Sequence, residues 1–469
     1  MCGVLKQGVM IGRGLQNWQI IQQTGGLGEI KLSGYWFVEA LPANTDVRIS
    51  ARVVHEYSGE VIRPWTACDK YGVNWSVCLK DIPAGGLYRI ETCIDYTGAN
   101  GLSITRGDMV HHVGVGDIYV IAGQSNASGR AKDPVEDPPE LGVHILRNSG
   151  RWDLASHPLN ETTDSIYEAH FETANPSHGP YLAFGKLIKN ATGCPVGLIQ
   201  ASLGGSGLWQ WNPEQEGSLY CNMIDIIRRN TEGIKGILWY QGCADGFENY
   251  GDTYYERFRL MVERTRDDLH QPDLPFFTVQ LNRCTLPATE QQDRSWGMVR
   301  EAQRKAAHEI RDVYVVPAND LKLYDFIHNC GASNIMIAER TARCVLDVLY
   351  SRHGTWRSPE VIRAVKTGED RLLLHFCNIT NWLNTFEVPA PMLPFTVEDE
   401  QGFAGVTAYE VVRTDRLLLT FEREIHLKSR LHGAWQMNPP FLIPFDCGNL
   451  PMLSFYGLNI EQGYEIISD

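Results

Sequence analysis

Ser125 is the residue of this sequence best placed to act as a nucleophile. The apolar run Asp117–Ile121 predicts a buried strand, and the chain must turn directly before Gln124-Ser125-Asn126. A serine at a turn from strand to helix has an accessible hydroxyl, and the amide behind it can donate to an oxyanion. The alternative is that Ser125 only caps the following helix, a common role for serine. The tripeptide alone favours neither, so the other polar groups must decide.

Asp325 and His328 have the spacing of an orienting acid and a general base. Three residues apart on one turn, the carboxylate can accept the imidazole Nδ1–H and leave Nε2 to take a proton from a hydroxyl. A lone pair of this kind is weak evidence, because helix caps and surface histidines are commoner. Asp320 is a rival partner for the histidine, although it lies further away in the sequence.

Gly204-Gly205 and Gln241 are candidate donors to an oxyanion. Glycine leaves its backbone N–H unhindered, although a pair of glycines by itself more often marks a flexible turn. Gln241 ends the apolar run Ile237–Tyr240, so its amide could be a third donor or could hydrogen-bond a neighbouring loop. Each of these signals is modest, and they gain weight only if the fold brings them together.

Four further residues are predicted to contact the substrate. Gln124 and Asn126 flank the serine, and Trp209 and Trp211 follow the glycines. Tryptophan faces can lie under a sugar ring, although a buried position is the ordinary expectation for this residue.

These residues follow strands in a predicted mixed α/β region. From about residue 109 to 354, apolar strand candidates alternate with amphipathic segments, which predicts a parallel sheet covered on both faces. In such sheets the active site lies beyond the carboxyl ends of the strands. The strand candidates are Asp117–Ile121, Pro195–Gln200, Ile234–Tyr240, Pro275–Gln280 and Val313–Pro317, and the helix candidates are Pro180–Asn190, Leu219–Arg229, Tyr254–Leu269, Trp296–Ile310 and Asn334–Leu349.

Strand-rich segments flank this region on both sides. The sequence predicts a β-sandwich-like amino-terminal domain over 1–108, a catalytic domain over 109–354 and a β-rich segment over 355–469. The pattern leaves open whether the last segment packs with the amino-terminal domain or forms a unit of its own.

Composition excludes several classes of protein. The 469 residues carry a formal net charge of −14 without a basic run, which argues against a nucleic-acid partner. No apolar stretch is long enough to cross a membrane, and because the first residues lack a sustained apolar core we expect that they are not a signal peptide. The twelve cysteines form no CxxC pair, so we expect reduced thiols, a cytoplasmic location and neither a metal nor another cofactor.

Four blocks stand in order along the chain: GDIYVIAGQSNASGR, LIQASLGGSGLWQW, GILWYQGCAD and DLKLYDFIH. Together they resemble the signature blocks of the sialate O-acetylesterase family, which belongs to the SGNH (GDSL-like) hydrolases. GVNWSVCLKDIPAGGLY and HGAWQMNPPFLIPFDCGNLPMLSF resemble the family's segments on either side of the catalytic domain. The resemblance implies a flavodoxin-like three-layer α/β/α domain and serine-dependent removal of acetyl groups from sugars.

The resemblance also implies roles for individual residues. Ser125 matches the nucleophile, and Asp325 with His328 match the acid and base. Gly205 and Gln241 match the remaining oxyanion-hole positions, together with the amide of Ser125; the motif itself contains Gly204 as well.

The sequence departs from the family pattern in several places. Cys243 stands where the family usually has glutamate, and Asn329 stands where proline usually follows the histidine. The usual lysine and glycine further on are not evident, and aligning Arg340 there needs a small insertion. None of these changes removes a proposed catalytic group, although they bear on the substrate pocket.

The expected substrate is a small acetylated carbohydrate, either a sialic acid or a short acetylated oligosaccharide. One alternative is the same fold acting on lipid or aryl esters. Another is a catalytically silent carbohydrate-binding protein. The sequence leaves the oligomeric state open.

Overall fold

The computed structural model describes residues 7–39, 41, 45–98, 101–173, 176–385, 387–440 and 442–463. Its first part consists of strands, as the β-rich composition predicts. These strands are β1 (Gly8–Arg13), β2 (Ile20–Gln22), β3 (Leu27–Phe37), β4 (Val47–His55), β5 (Val61–Ala67), β6 (Asp69–Tyr71), β7 (Asn74–Pro83) and β8 (Leu87–Gly98).

Helices and strands alternate in the middle of the chain, which makes the protein mixed α/β as predicted. The strands are β9 (Gly101–Gly123), β10 (Val143–Leu146), β11 (Trp152–Leu154), β12 (Val196–Gln200), β13 (Gly236–Tyr240), β14 (Phe276–Val279) and β15 (Val313–Val316). The helices are α1 (Ser125–Ser128), α2 (Tyr181–Thr192), α3 (Leu208–Trp211), α4 (Ser218–Asn230), α5 (Cys243–Phe247), α6 (Gly251–Leu269), α7 (Glu290–Glu309) and α8 (Gly331–Tyr350).

The last part returns to strands, seven of which close into a barrel in the order β16-β17-β21-β20-β19-β22-β24. The strands are β16 (Glu360–Lys366), β17 (Arg371–Cys377), β18 (Leu383–Asn384), β19 (Phe395–Asp399), β20 (Gly402–Arg413), β21 (Arg416–Phe421), β22 (Arg430–Gly433), β23 (Phe445–Asp446) and β24 (Phe455–Gln462). Apolar residues from the barrel strands form a core of their own inside it. The sequence predicted β-rich structure here, but not the closure.

β9 connects the amino-terminal strands to the central sheet. Its first half pairs antiparallel with β8, and its second half pairs in parallel with β12 and β13. The strand therefore runs through residue 108, where composition suggested a boundary. In the central sheet β10, β12, β9, β13, β14 and β15 are parallel neighbours, and β11 adds antiparallel to β10.

Residues of β9 alternate between two apolar cores. Ile118 and Val120 share a core with residues of α4, α6 and α7. Tyr119 and Ile121 share the other core with residues of α2 and α8. This alternation, with period two, explains why the strand reads as an uninterrupted apolar run in the sequence.

The barrel packs against α7. A Cβ on Gly297 of α7 would lie 2.9 Å from the ring of Tyr456 in β24, so the two elements approach closely. Arg294 adds a hydrogen bond of 3.0 Å to the Tyr456 hydroxyl. Among the helices that the structure describes, none is long and apolar enough to span a lipid bilayer.

Candidate active site

Ser125 lies at the carboxyl end of β9, as the sequence predicts. Gly123 ends the strand at φ +128°, and a Cβ there would come within 2.2 Å of the Tyr240 carbonyl in the adjacent strand. Glycine is therefore needed for the chain to turn at this point. Ser125 then begins α1, so its N–H belongs to the first turn of a helix, where backbone donors lack partners within the helix.

His328 and Asp325 lie next to Ser125 although 203 residues separate the serine from the histidine. The Nε2 atom of His328 is 2.9 Å from the Ser125 Oγ, and its Nδ1 is 2.7 Å from the Asp325 Oδ2. Asp325 is ionised at neutral pH, so Nδ1 carries the proton and Nε2 is free to accept one from the serine. The three side chains thus form a continuous hydrogen-bonded chain.

Asp325 holds the backbone as well as the imidazole ring. Its Oδ1 accepts hydrogen bonds from the backbone N–H groups of Ile327 at 2.8 Å and His328 at 2.7 Å. Burial alone would raise the pKa of Asp325, but these two bonds and the bond from the His328 ring outweigh it and lower the pKa. The carboxylate therefore stays charged, with its two oxygens serving different partners.

The glycine turn, residues 203–206, offers one free backbone donor. Gly204 N–H is already used, because it donates to the Glu172 Oε2 at 3.0 Å. Gly205 adopts φ +71°, and nothing lies within 4 Å of where its Cβ would be. Within the described chain its N–H has no acceptor. Of the two glycines, Gly205 is therefore the one with an available N–H.

Glu172 anchors this turn, and sequence reasoning missed it. Its Oε1 accepts from the Arg130 Nη2 at 2.5 Å and from the Asn160 Nδ2 at 2.9 Å, while Oε2 holds Gly204. Arg130 lies two residues after the end of α1, so the cluster connects the helix of Ser125 to the glycine turn. Glu172 lies in an irregular segment without a motif; the only signal was Arg130 itself, the last residue of the first signature block.

Gln241 differs from its predicted role as an oxyanion donor. Its Nε2 donates to the Ser206 carbonyl at 3.2 Å and to the Asp245 Oδ2 at 2.6 Å, which uses both N–H groups. Its Oε1 accepts from the Tyr254 hydroxyl at 3.0 Å, and the side chain is completely buried. Gln241 therefore supports the glycine turn. This matches the alternative role, in which an amide at the end of a strand hydrogen-bonds a neighbouring loop.

Gln124 and Asn126 bind the protein itself, which differs from their predicted contact with substrate. Gln124 Oε1 accepts from the backbone N–H of Gly242 at 3.0 Å and of Ala244 at 3.3 Å. The Asn126 Nδ2 donates to the carbonyl of Ile327, and its Oδ1 accepts from the backbone N–H of Asn329, on either side of His328. Both residues are buried, so their first role is to join the loops around Ser125.

The two tryptophans, Trp209 and Trp211, lie in different environments. Trp211 is completely buried, its Nε1 donates to the Ser206 Oγ at 3.0 Å, and it cannot form a platform for a sugar. Trp209 is partly exposed and contacts the edge of the exposed Tyr250 ring, with centroids 5.8 Å apart. Of the pair, Trp209 alone presents surface to a ligand.

Asp320, the rival partner for His328, is engaged elsewhere. Its two oxygens bind the Arg340 guanidinium in a fork at 2.8 and 2.7 Å. Arg340 also donates to the Pro317 carbonyl at 2.9 Å. This pair ties α8 to the segment after β15 and leaves Asp325 as the carboxylate beside the histidine.

Cys243 and Asn329, which depart from the family pattern, lie on either side of Asn282. The Cys243 Sγ is 3.9 Å from the Asn282 Oδ1, and the Asn282 Nδ2 donates to the Asn329 Oδ1 at 3.2 Å. Burial raises the pKa of the Cys243 thiol, which keeps the proton that this contact needs. Both departures therefore belong to the support beneath His328.

Asp137, His157 and His178 are described side chains close enough to share a metal ion, with ligand atoms within 4.8 Å of one another. However, Asn334 Nδ2 donates to the His178 Nδ1 at 3.3 Å, which places the proton of the neutral ring on Nε2. That Nε2 lies 3.2 Å from the Asp137 Oδ2, and Lys186 Nζ is 2.5 Å from Oδ1. A metal needs the Nε2 lone pair, so an ion-pair network explains the cluster better.

Known proteins resemble the central part of the chain. Residues 115–347 match the family described as carbohydrate esterase, sialic acid-specific acetylesterase. Human sialate O-acetylesterase is 22% identical over 267 residues, which cover 47% of this chain and 49% of the human protein. The sialate O-acetylesterase of Pongo abelii is 22% identical over 266 residues, with the same coverage. The chain thus spans about half the length of the curated relatives it matches.

A solved structure resembles nearly the whole chain. It is a carbohydrate acetylesterase from Xanthomonas citri with a TM-score of 0.68 and 19% identity, covering 96% of this chain and 99% of that protein. At this identity the likeness shows a common fold, which includes the flanking β regions. Through residues 115–347, the chain belongs to the sialic acid-specific acetylesterase family of carbohydrate esterases.

Proposed function

We propose that this protein is a serine-dependent carbohydrate O-acetylesterase that works through an acetyl-enzyme intermediate. The observation that carries the proposal is the hydrogen-bonded chain from Ser125 through His328 to Asp325, with distances of 2.9 and 2.7 Å. A serine that only capped α1 would need no histidine at its hydroxyl. The membership of residues 115–347 in an acetylesterase family supports the same interpretation.

The reaction begins with the Ser125 hydroxyl. Its Oγ attacks the acetyl carbonyl while its proton passes to the His328 Nε2. His328 then gives this proton to the ester oxygen of the sugar as the bond between that oxygen and the acetyl carbon breaks, so the sugar leaves as a hydroxyl and the acetyl group remains on Ser125. Water loses a proton to His328 and attacks the acetyl-enzyme; the bond to the Ser125 Oγ then breaks, His328 returns the proton to that oxygen, and acetic acid leaves and ionises to acetate. Asp325 keeps the imidazole oriented and stabilises the imidazolium that forms twice in each cycle.

The oxyanion of each tetrahedral intermediate needs backbone donors near Ser125. The N–H of Ser125, at the start of α1, and the N–H of Gly205 are proposed to supply them. The available N–H of Gly205 supports this role, whereas Gly204 already donates to Glu172. Gln241 is assigned the supporting role of holding the glycine turn through the Ser206 carbonyl.

The substrate is proposed to be a small acetylated sugar, either a sialic acid or an acetylated oligosaccharide. Exposed aromatic side chains suit the apolar face of a sugar ring. Phe326, between Asp325 and His328, is 47% exposed, and Tyr250, against Trp209, is 46% exposed. The family description adds acetylated sialic acids as the first substrates to test.

We further propose an SGNH-type three-layer α/β/α catalytic domain over 109–354, between a β-sandwich-like domain over 1–108 and a β-rich segment over 355–469. The apolar cores support this division, because each is formed mainly by residues of one part. β9 contributes to the cores of the first two parts, so the boundary between them lies within a continuous strand.

Replacing Ser125 by alanine tests the proposed nucleophile. Activity on 4-nitrophenyl acetate and on acetylated sugars should fall by roughly 10³-fold or more, because the attacking oxygen is removed. The matched control is Ser128→Ala in the same helix; its hydroxyl bonds Ser202 at 2.9 Å, and activity should stay close to that of the wild type.

Near-normal turnover by Ser125→Ala would overturn the proposed nucleophile. A wild-type protein that hydrolyses no acetylated sugar, and that a serine-reactive phosphonate does not label, would instead be a silent binding protein. A panel of acetylated sialic acids and neutral oligosaccharides, measured in parallel, then separates the two substrate classes.

A further inference from the structure

The side chain of Asn126 connects the nucleophile's helix to both sides of His328. Its Oδ1 accepts the backbone N–H of Asn329 at 3.0 Å, and its Nδ2 donates to the carbonyl of Ile327 at 3.3 Å. The two peptide groups that flank the histidine are thus clamped by one amide, and these two bonds are called the Asn126 clamp. Asn126 itself is 3% exposed and directly follows Ser125 in α1.

We propose that Asn126 is a positioning residue that sets the distance between the His328 Nε2 and the Ser125 Oγ. The proposal rests on the proposed function, in which these two atoms exchange a proton. Asn126 and Ser125 are neighbours in one helical turn, so a shift of the His328 backbone relative to the serine must break or stretch an Asn126 bond. Proton transfer requires this kind of control, because a misplacement of about 1 Å can cost roughly 10²-fold in rate.

Hydrogen bonds carry this task because the loop around His328 is poorly covered. Of residues 324–328, Ile327 alone is buried, while Tyr324 and Phe326 are 43% and 47% exposed. The apolar packing of the Ile327 side chain alone cannot fix the position of the neighbouring His328 imidazole. The amide of Asn126 acts on the peptide bonds directly and fixes both the entry to and the exit from the histidine.

Asn282 supports the same loop from the end of β14. Its Nδ2 donates to the Ile327 carbonyl at 2.8 Å and to the Asn329 Oδ1 at 3.2 Å. The Asn329 Nδ2 in turn donates to the Tyr240 hydroxyl at 2.8 Å. Asn329 therefore takes part through its backbone N–H and through both side-chain groups.

Asn329 explains why the Asn126 clamp has its present form. Proline, the residue that usually follows the histidine in the family motif, has no backbone N–H and could not donate to the Asn126 Oδ1. The departure at 329 therefore adds a bond between the base's loop and the nucleophile's helix. The Asn126 clamp thus joins two asparagines that lie far apart in the sequence.

The first test is Asn126→Ala, measured on 4-nitrophenyl acetate. We expect kcat to fall by roughly 10²-fold with KM nearly unchanged, because the amide positions the base and does not contact the substrate. The control is Asn319→Ala. Asn319 is completely buried and bonds the Met452 carbonyl at 3.1 Å and the Ser454 hydroxyl at 2.8 Å, away from the triad. The Asn319→Ala substitution should lower the melting temperature and leave kcat almost unchanged.

The second test is Asn126→Asp, which keeps the shape of the side chain. A protonated aspartic acid donates to the Ile327 carbonyl and accepts from Asn329 N–H, whereas the anion places a charge against that carbonyl. The ratio of kcat for Asn126→Asp to kcat for the wild type should therefore rise as the pH is lowered from about 8 to about 5. A merely structural asparagine would change the melting temperature without this recovery of kcat.

The outcomes separate the Asn126 clamp from the function on which it rests. If Ser125→Ala is inactive while Asn126→Ala keeps the wild-type kcat, the clamp is overturned and the nucleophile stands. If Asn319→Ala loses as much kcat as Asn126→Ala at an equal loss of stability, the clamp is overturned as well. If Ser125→Ala remains active, the proposed mechanism itself fails.

Discussion

At the residue scale, Asp325 performs two tasks with two different oxygens. Oδ2 receives the imidazole Nδ1–H, and Oδ1 closes the turn by accepting the backbone N–H groups of Ile327 and His328. The same bonds lower the pKa of Asp325 and keep it ionised at neutral pH. One side chain therefore sets both the backbone of the turn and the tautomer of the ring.

Asp325→Asn separates these tasks. The asparagine oxygen can still accept the backbone N–H groups, but its NH₂ group faces Nδ1 and moves the ring proton to Nε2, towards the serine. We expect kcat to fall by roughly 10⁴-fold while the melting temperature changes little, as found when the wrong tautomer is imposed on such a triad. Steady-state kinetics on an acetyl ester and thermal unfolding measure the two quantities.

The matched control is Asp320→Asn, which makes the same replacement of a carboxylate oxygen by an NH₂ group at the other candidate partner of His328. Because Asp320 binds Arg340 and not the histidine, its loss should lower stability and spare kcat. A larger loss of kcat in Asp320→Asn than in Asp325→Asn would reverse the assignment of the orienting acid.

At the element scale, the glycine turn is held by side chains from three separate segments. Glu172 binds the Gly204 N–H, Gln241 binds the Ser206 carbonyl, and Trp211 binds the Ser206 hydroxyl. A turn with two glycines would otherwise be flexible. These contacts hold Gly205 in place without using its N–H.

Gln241→Ala tests whether Gln241 supports this turn or donates to the oxyanion directly. As a support, its loss removes the Gln241 donor from the buried Ser206 carbonyl and one of several donors from the Asp245 carboxylate, which should lower the free energy of unfolding by about 1–3 kcal/mol. The fall in kcat should stay below the roughly 10²-fold expected for a direct donor. Denaturant unfolding and kinetics on the same samples provide both values.

Asp245→Asn is the companion variant, since Asp245 holds the Gln241 amide at 2.6 Å but lies beneath it. If Gln241 acts as a support, both variants should lose stability and kcat in proportion. If Gln241→Ala alone lowers kcat by roughly 10²-fold or more, at unchanged stability, Gln241 must be assigned as a direct donor to the oxyanion.

At the scale of the whole molecule, α7 docks the barrel onto the central sheet. Arg300 is completely buried and donates to the carbonyls of Ala434 at 2.9 Å and Gln436 at 2.6 Å, and to those of Leu281 and Asn282 at 2.7 Å. The Arg300 guanidinium therefore binds both the residues that follow β22 of the barrel and the residues that follow β14 of the central sheet. Since Asn282 supports the His328 loop, the barrel and the active site have a common anchor.

His308 makes this docking dependent on pH. It lies 2.7 Å from Glu360 of β16, and this hydrogen bond raises the pKa of His308, aided by the charge of Glu301 and opposed by burial and by Arg304. A raised folded pKa means that the stabilisation is complete below the unfolded pKa and is lost as pH rises through the folded value. The melting temperature should therefore fall between about pH 6 and pH 8.

His308→Gln should remove that part of the pH dependence, because glutamine does not titrate. His353→Gln is the control, since His353 is exposed and pairs with Asp347 outside the interface. An identical pH dependence of the melting temperature in the wild type and in His308→Gln would contradict the assignment.

The sequence alone predicted most of the longer elements of the central region, and it singled out the three side chains, Ser125, Asp325 and His328, that the structure brings together. Its five strand candidates fall on β9, β12, β13, β14 and β15, because a buried strand is a local apolar run that needs no partner to be recognised, although the first candidate covers only the last part of β9. The start of α7 was placed six residues too late, although Thr289 and Gln292 form a capping box there. β10 and β11 are short, and their signal was too weak to predict.

Tertiary structure decided what the polar side chains bind. Gln124, Asn126, Gln241 and Trp211 were expected at the substrate, and the structure gives each of them a protein partner instead. Those partners come from segments up to 203 residues away in the sequence. A local pattern can identify a residue at the end of a strand. Which backbone groups lie within hydrogen-bonding distance of it depends on how distant loops meet, and only the folded chain determines that.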